Sequence, residues 1–151
     1  SAHHDVNARG INKQLWNKIF PLIKNFEIIK SFEGEETHSI KIWDMHHILA
    51  FAKLVISDSQ TMTAEAAVLG IPSVRINTFV GKISYLEELE HVYTLTYGFK
   101  PDDVEAILEK ITYLLSVKKL EDYWKEKQNI LLNQKEDFNK KMKDLIMSQL
   151  I

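Results

Sequence analysis

Helical and strand-like patterns of apolar positions alternate along most of the chain. Apolar side chains at three- and four-residue steps predict a first helix over 11–23, with Asn7 or Asn12 as its N-cap. Further helices are predicted over 45–52, 61–69, 83–89 and about a dozen residues from Pro101 onward. Short runs rich in β-branched and aromatic side chains predict strands over 26–32, 40–43, 54–57, 73–76 and 92–95.

This alternation predicts the fold class. Short strands between helices are typical of an α/β domain with a mainly parallel sheet that is flanked by helices. Gly70 and Pro72 fit the end of one helix, because glycine suits the left-handed cap and proline does not continue a helix. From Leu120 an apolar stripe predicts two C-terminal helices with a break near Asn133. We expect residues 1–151 to form one Rossmann-like domain, with the C-terminal helices in 119–151.

Composition and charge narrow the classes of function. The formal net charge is −2, which does not favour a nucleic acid or an anionic membrane as partner. There are no cysteines, so disulfides, thiol catalysis and cysteine-ligated metals are excluded. No apolar run approaches the roughly 20 residues of a membrane-spanning helix, and no signal-peptide pattern opens the chain. We therefore expect a cytoplasmic protein.

One strand–helix junction carries the candidate chemistry, within VISDSQTMTAEAAVLGIPSVRI, residues 55–76. In open α/β folds, ligands bind at the carboxyl ends of the strands, where a helix offers free N–H groups and its positive dipole end. Ser59, Gln60 and Thr61 lie at that point and suit a phosphate. Glu65 follows one helical turn later, where a carboxylate can accept hydrogen bonds from a ribose diol. This order predicts a nucleoside diphosphate.

The same residues also have a structural interpretation, to which we give equal weight on this pattern alone. Ser59 and Thr61 would cap the helix, and Glu65 would be a solvated side chain. Thr61 and Glu65 are four residues apart, however, whereas a capping box needs three. The neighbouring alanines bring this helix close to the sheet, and an acid kept there favours a functional role.

The stretch LVISDSQTMTAEAAVLGIPSVRI resembles a segment of UDP-N-acetylglucosamine 2-epimerases. That segment runs from a strand through D-S-G-G and a helix with E-E to L-G-x-P and an arginine-bearing strand. The stretch is also similar to the corresponding part of GT-B glycosyltransferases, which have two Rossmann-like halves. The opening AHHDVNARG resembles, more loosely, the A-H-R-R-E-N-x-G loop that begins the C-terminal half of the epimerases. The resemblance covers roughly residues 2 to 98 and implies the C-terminal half of a GT-B-like fold.

The resemblance implies roles for individual residues. Ser59, Gln60 and Thr61 would hold the diphosphate, with Gln60 and Thr61 standing where the epimerases have glycines. Glu65 would hold the ribose hydroxyls. The other matched positions are His3 and Asn7 in the opening loop, Arg75 after the L-G-x-P turn, and Thr78 just beyond it.

The departures from the family pattern limit what is implied. His4 and Asp5 replace basic residues, and residues 77–81 do not reproduce the T-E-R-P-E run. The resemblance therefore implies binding of a UDP-sugar, in carbohydrate or cell-surface polysaccharide metabolism, more than it implies epimerisation. The reaction of such enzymes lies between two halves, so we expect a missing N-terminal Rossmann-like half and no turnover by this chain alone. His3 and Asp5 are the remaining catalytic candidates.

Other candidate sites have less support. His46 could line the base pocket, because its helix begins near the same sheet edge. Neighbouring His46 and His47 point about 100° apart on a helix and do not suit one metal ion. We expect no metal and no cofactor, since backbone amides and a helix terminus would stabilise the diphosphate. Tyr93, Tyr97 and Phe99 could stack on a base, although core packing is the favoured interpretation.

A function of another class stays open at this point. The chain could be a non-catalytic α/β module that binds a partner protein or a regulatory nucleotide. Likeness of fold does not separate the two hypotheses. An upstream Rossmann-like half with acidic residues would favour the enzyme, and its absence would favour the module.

Overall fold

The computed structural model describes residues 10–30 and 45–135 of the 151-residue chain. Helices and strands alternate within these residues, as the sequence predicts for an α/β fold. The elements in chain order are α1 Lys13–Ile23, α2 Met45–Ala50, β1 Val55–Ser57, α3 Gln60–Leu69, β2 Ser73–Ile76, α4 Ser84–His91, β3 Thr96–Phe99, α5 Val104–Ser116 and α6 Leu120–Gln134.

The three strands of the described residues form one parallel sheet in the order β1-β2-β3. Val55 of β1 pairs with Ser73 of β2, and Ser73 pairs with Thr96 of β3. The middle strand is buried along its whole length, including its two polar residues, Ser73 and Arg75. The predicted parallel α/β sheet is therefore confirmed.

Helices cover both faces of this sheet. Side chains alternate along a strand, so Val74 and Ile76 point to one face and Ser73 and Arg75 to the other. Val74 and Ile76 belong to the main core, together with buried side chains of α1 and α5 such as Ile107. The opposite face carries α3 and α4. A smaller apolar cluster completes the packing there, formed by Leu49, Val55, Ala66 and Ile71.

Capping residues fix the ends of two helices as the sequence predicts. The Asn12 side chain accepts a hydrogen bond from the Leu15 amide at 2.8 Å and begins α1. Gly70 has φ of 73°, the left-handed conformation that ends a helix, and its amide donates to Ala67 at 3.1 Å. The Ile71 amide donates to Ala66 at 2.8 Å, so the chain leaves α3 directly toward β2.

Helix α6 lies against the C-terminal end of α3. Lys125 Nζ donates to the Leu69 carbonyl at 2.9 Å, and Gln128 Nε2 donates to the Val68 carbonyl at 2.6 Å. Trp124 is buried and donates its indole N–H to the Leu95 carbonyl at 2.9 Å. These contacts satisfy carbonyls at the end of α3 and place α6 at the amino edge of the sheet.

The predicted strand at 92–95 is wrong, because the last described strand is Thr96–Phe99. The amides of Tyr93 and Leu95 donate back to Glu88 and Leu89, and Thr94 has φ of 54°. This segment is therefore the turn that ends α4. Its apolar side chains Tyr93 and Leu95 are buried in the core, which is why they imitate a strand pattern.

Two other predictions are corrected or only partly described. Residues 26–30 form no strand within the described part of the chain, although Ile28 packs against the core. Helix α2 ends at Ala50 rather than near Lys53, because the next two amides, Phe51 and Ala52, make tighter turn-type hydrogen bonds to carbonyls three residues back.

The predicted strand at 40–43 and the second C-terminal helix lie outside the described residues. None of the helices in 10–30 and 45–135 is long and apolar enough to cross a membrane.

Candidate functional site

Three hydroxyl groups shape the junction between β1 and α3. Ser57 Oγ accepts a hydrogen bond from the Ser59 amide at 3.0 Å. Ser59 is the N-cap of α3, and its Oγ accepts from the Met62 amide at 3.3 Å. Thr63 Oγ1 donates to the Ser59 carbonyl at 2.8 Å. Ser59, one of the side chains predicted to bind phosphate, thus first holds the turn itself.

Two backbone amides at this junction stay available for a ligand. The first four N–H groups at a helix start have no intrahelical partner, and here they belong to residues 59–62, since Thr63 already donates to the Ser59 carbonyl at 3.3 Å. Ser57 Oγ accepts from the Ser59 amide, and Ser59 Oγ accepts from the Met62 amide. The amides of Gln60 and Thr61 are left, and no residue in 10–30 or 45–135 bonds to them. Together with the helix dipole they make this carboxyl edge of the sheet a candidate anion-binding point.

Glu65 and His46, two predicted ligand-binding residues, lie in contact. His46 Nδ1 is 3.3 Å from Glu65 Oε2, and the Glu65 side chain is 34% exposed. His46 is near the start of α2 and Glu65 is one turn into α3, so both helices begin at the same edge of the sheet. The contact engages one carboxylate oxygen and leaves the other free of hydrogen bonds within the described residues.

Asn77, directly after β2, was not among the predicted site residues. Its side chain is nearly buried, at 4% exposed, and uses both ends of its amide group. Nδ2 donates to the Asp58 carbonyl at 2.9 Å, and Oδ1 accepts from the Phe79 amide at 3.0 Å. Asn77 thereby ties the loop after β2 to the junction after β1. An asparagine that follows a buried strand is the only sequence signal for this role.

Arg75, expected from the resemblance to contact substrate, has a fully buried side chain. Its Nη2 is 3.3 Å from Glu87 Oε1 and 3.7 Å from Glu90 Oε2, both on α4. Gly98, the cross-strand neighbour of Arg75, completes this cluster, because its amide donates to Glu90 Oε1 at 2.9 Å. Contact between Arg75 and substrate therefore stays a prediction, and in this structure Arg75 joins α4 to the sheet.

The two glutamates of this cluster have opposite pKa shifts. Burial raises the pKa of Glu90, and the hydrogen bond from the Gly98 amide only partly offsets it. Burial alone would also raise the pKa of Glu87. Hydrogen bonds from the Gly81 amide, His91 and Arg75 outweigh that effect and lower its pKa below the ordinary value of 4.5. Glu87 is thus held as the ionised partner of Arg75.

Two glycines allow close packing around the site. A Cβ on Gly98 would lie 2.8 Å from Glu90 Oε2 and 3.0 Å from Arg75 Nη2. A Cβ on Gly10 would lie 2.3 Å from Asp58 Oδ2. The chain just before α1 therefore lies directly against the β1–α3 junction.

A cleft of about 1210 Å³ runs along α1, α2 and β1 and reaches the junction at Ser57, Asp58 and Met62. Gln60, Thr61 and Glu65 do not line it. The candidate anion-binding point therefore lies beside this cleft and not in its interior.

The remaining predicted site residues divide into two sets. Thr78 is half-buried and follows Asn77 at the same sheet edge. Asn7 and the catalytic candidates His3 and Asp5 lie outside the described residues. No group of three or more histidines, aspartates or glutamates within 10–30 and 45–135 is arranged to hold a metal ion.

Comparisons of the chain with protein-family models, curated proteins and solved structures find no match. The class that the fold defines is a Rossmann-like α/β domain with a parallel sheet.

Replacement of Glu87 tests the ion cluster. Because the pKa of Glu87 is lower in the folded than in the unfolded state, its contribution to stability is present above about pH 4.5 and is lost as the pH falls through the folded-state pKa. We expect Glu87→Gln to lower the free energy of unfolding by about 1–2 kcal/mol near neutral pH. Urea unfolding followed over a pH series should show this deficit shrinking in acid.

Glu88→Gln is the matched control, since Glu88 is on the same helix and pairs with Lys135 at the surface. It should change stability little at any pH. If Glu87→Gln lowers the free energy of unfolding equally in acid and at neutral pH, Glu87 is not the ionised partner of Arg75.

Proposed function

We propose that this chain is the nucleotide-sugar-binding half of an epimerase-like or glycosyltransferase-like enzyme, and that its ligand is a UDP-sugar. The observation that carries the proposal is the pair of amides, Gln60 and Thr61, to which no described residue bonds, with the Glu65 carboxylate one turn further along the same helix. The resemblance in sequence assigns the same three residues to a nucleoside diphosphate. Geometry and sequence pattern thus agree on one place.

The chemistry of the site suits a diphosphate without a metal ion. The N-terminus of α3 supplies two N–H donors and the positive end of the helix dipole to the phosphate oxygens. The Ser59 and Thr61 hydroxyls and the Gln60 side chain lie at the same point and can add donors. Binding at fixed backbone donors needs no rearrangement of the protein when the ligand arrives.

The ribose would lie along α3 next to Glu65. Four residues of a helix span about 6 Å, which separates the phosphate donors at Thr61 from the carboxylate. That separation keeps the negative charge of Glu65 away from the diphosphate while leaving an acceptor for the ribose hydroxyls. His46 holds one oxygen of Glu65, so the second oxygen is the one we assign to the ribose.

The proposal gives no ligand contact to Arg75, because its guanidinium is buried against α4. It also assigns the catalytic groups largely to the other half of the enzyme. General acids and bases must lie within about 3 Å of the atoms they serve, and the acids and bases that the described residues bring to this edge are few: Asp58, Glu65 and His46. The chain by itself would therefore bind the nucleotide without converting it.

The diphosphate contact predicts that UDP binds better than uridine. We expect weak binding of UDP, on the order of high micromolar to millimolar, because one side of the site is open to solvent. Thr61→Glu should remove the preference for UDP, since it adds a carboxylate beside the two amides. An acid in the first turn suits the helix dipole, so the variant should stay folded.

Isothermal titration of wild type, Thr61→Glu and Thr112→Glu checks this prediction. Thr112 is an exposed threonine in the C-terminal half of α5, so Thr112→Glu adds the same charge away from the junction and should keep the preference. Equal affinity of the wild type for UDP and uridine would count against a diphosphate site.

The assignment of Glu65 predicts selectivity for the ribose diol. Loss of a hydrogen bond to a charged group should weaken UDP binding by roughly 1.5–3 kcal/mol in Glu65→Gln. The same variant should bind 2′,3′-dideoxy-UDP as the wild type does, because that ligand lacks both hydroxyls. Glu109→Gln, an exposed glutamate of α5, serves as the control. If Glu65→Gln weakens both nucleotides alike, Glu65 supports the structure and does not bind the ribose.

A further inference from the structure

The loop after β2, residues 77–83, is held at both of its ends. At the first end, Asn77 accepts from the Phe79 amide at 3.0 Å and donates to the Asp58 carbonyl at 2.9 Å. At the other end, the Gly81 amide donates to Glu87 Oε1 at 2.9 Å. Since Glu87 also contacts buried Arg75, this end of the loop is tied to the middle strand, whereas Asn77 ties the first end to the junction after β1.

The Asn77 contact lies next to the anion-binding point. Asp58 directly precedes Ser59, the N-cap of α3, so the carbonyl that Asn77 holds belongs to the peptide group entering the helix. On its other side Asp58 is confined by Gly10, where even a Cβ would collide. The direction of the Gln60 and Thr61 amides depends on how this peptide group is fixed.

We infer that Asn77 is a positioning residue of the proposed nucleotide site, which aims the amides at the start of α3 by fixing the Asp58 peptide group against the loop after β2. The inference rests on the proposed function and adds a residue that was not among the predicted site residues and that the family resemblance does not indicate. Asn77 suits this task because a nearly buried side-chain amide with both ends engaged has one orientation.

The test compares Asn77→Ala with Ser73→Ala. Ser73 is buried in β2, the strand that Asn77 follows, and donates to Thr96 Oγ1 at 3.0 Å, but it lies at the amino end of β2, remote from the junction. Both variants remove a buried hydrogen-bonded side chain, so both should lose stability. Asn77→Ser, which retains a hydroxyl in place of the amide, extends the test if alanine prevents folding.

The readout is the ratio of the affinities for UDP and uridine, measured by titration of the full chain. We expect this ratio to fall about tenfold in Asn77→Ala, to fall less in Asn77→Ser, and to stay at the wild-type value in Ser73→Ala. The inference is overturned if the wild type prefers UDP and Asn77→Ala keeps that preference, or if Ser73→Ala lowers the ratio equally. A wild type without any preference for UDP would instead remove the proposed function, and this inference with it.

Discussion

The buried guanidinium of Arg75 constrains how α4 and the loop after β2 pack against the sheet. A charge in the middle strand, with no exposed surface, is tolerable only when it is paired. Glu87 and Glu90 supply that pairing and fix α4 against the sheet, while Gly98 leaves room for the pair. Glu90 stays beside the guanidinium when Glu87 is lost, so we expect that loss to cost about 1–2 kcal/mol, less than the roughly 3–5 kcal/mol typical of a fully buried pair.

This ion cluster reaches the candidate site through the loop after β2. Glu87 holds Gly81, and Asn77 holds Phe79 and Asp58, so the sheet edge that would receive the nucleotide is built on buried polar contacts. The amides at the start of α3, which we propose bind the diphosphate, are therefore held in place by the fold before any ligand arrives. Such preorganisation is what makes a small number of backbone donors useful at an open surface.

The sequence predicts much of this fold because the residues that favour a strand or end a helix lie within the element itself or next to it. Strand β2 and the end of α3 are foreseen from a β-branched run, Gly70 and Pro72. The strand expected at 92–95 fails, because buried side chains in a helix-ending turn give the same apolar run as a strand. The pairing of Arg75 was missed for a different reason: Glu87 and Glu90 on α4 look like a solvated helix face until the sheet is placed beneath them. Burial of a charge depends on tertiary packing, which one sequence does not display.

The central claim is that a diphosphate binds at the N-terminus of α3. Titration of UDP into the ¹⁵N-labelled chain, followed by amide spectra, tests it most directly. The account predicts that UDP changes the backbone chemical shifts of Gln60 and Thr61 most and those of Ser59 and Glu65 less. Inorganic diphosphate should reproduce the changes at Gln60 and Thr61. Saturable binding of UDP that moves signals elsewhere and leaves Gln60 and Thr61 in place would contradict it.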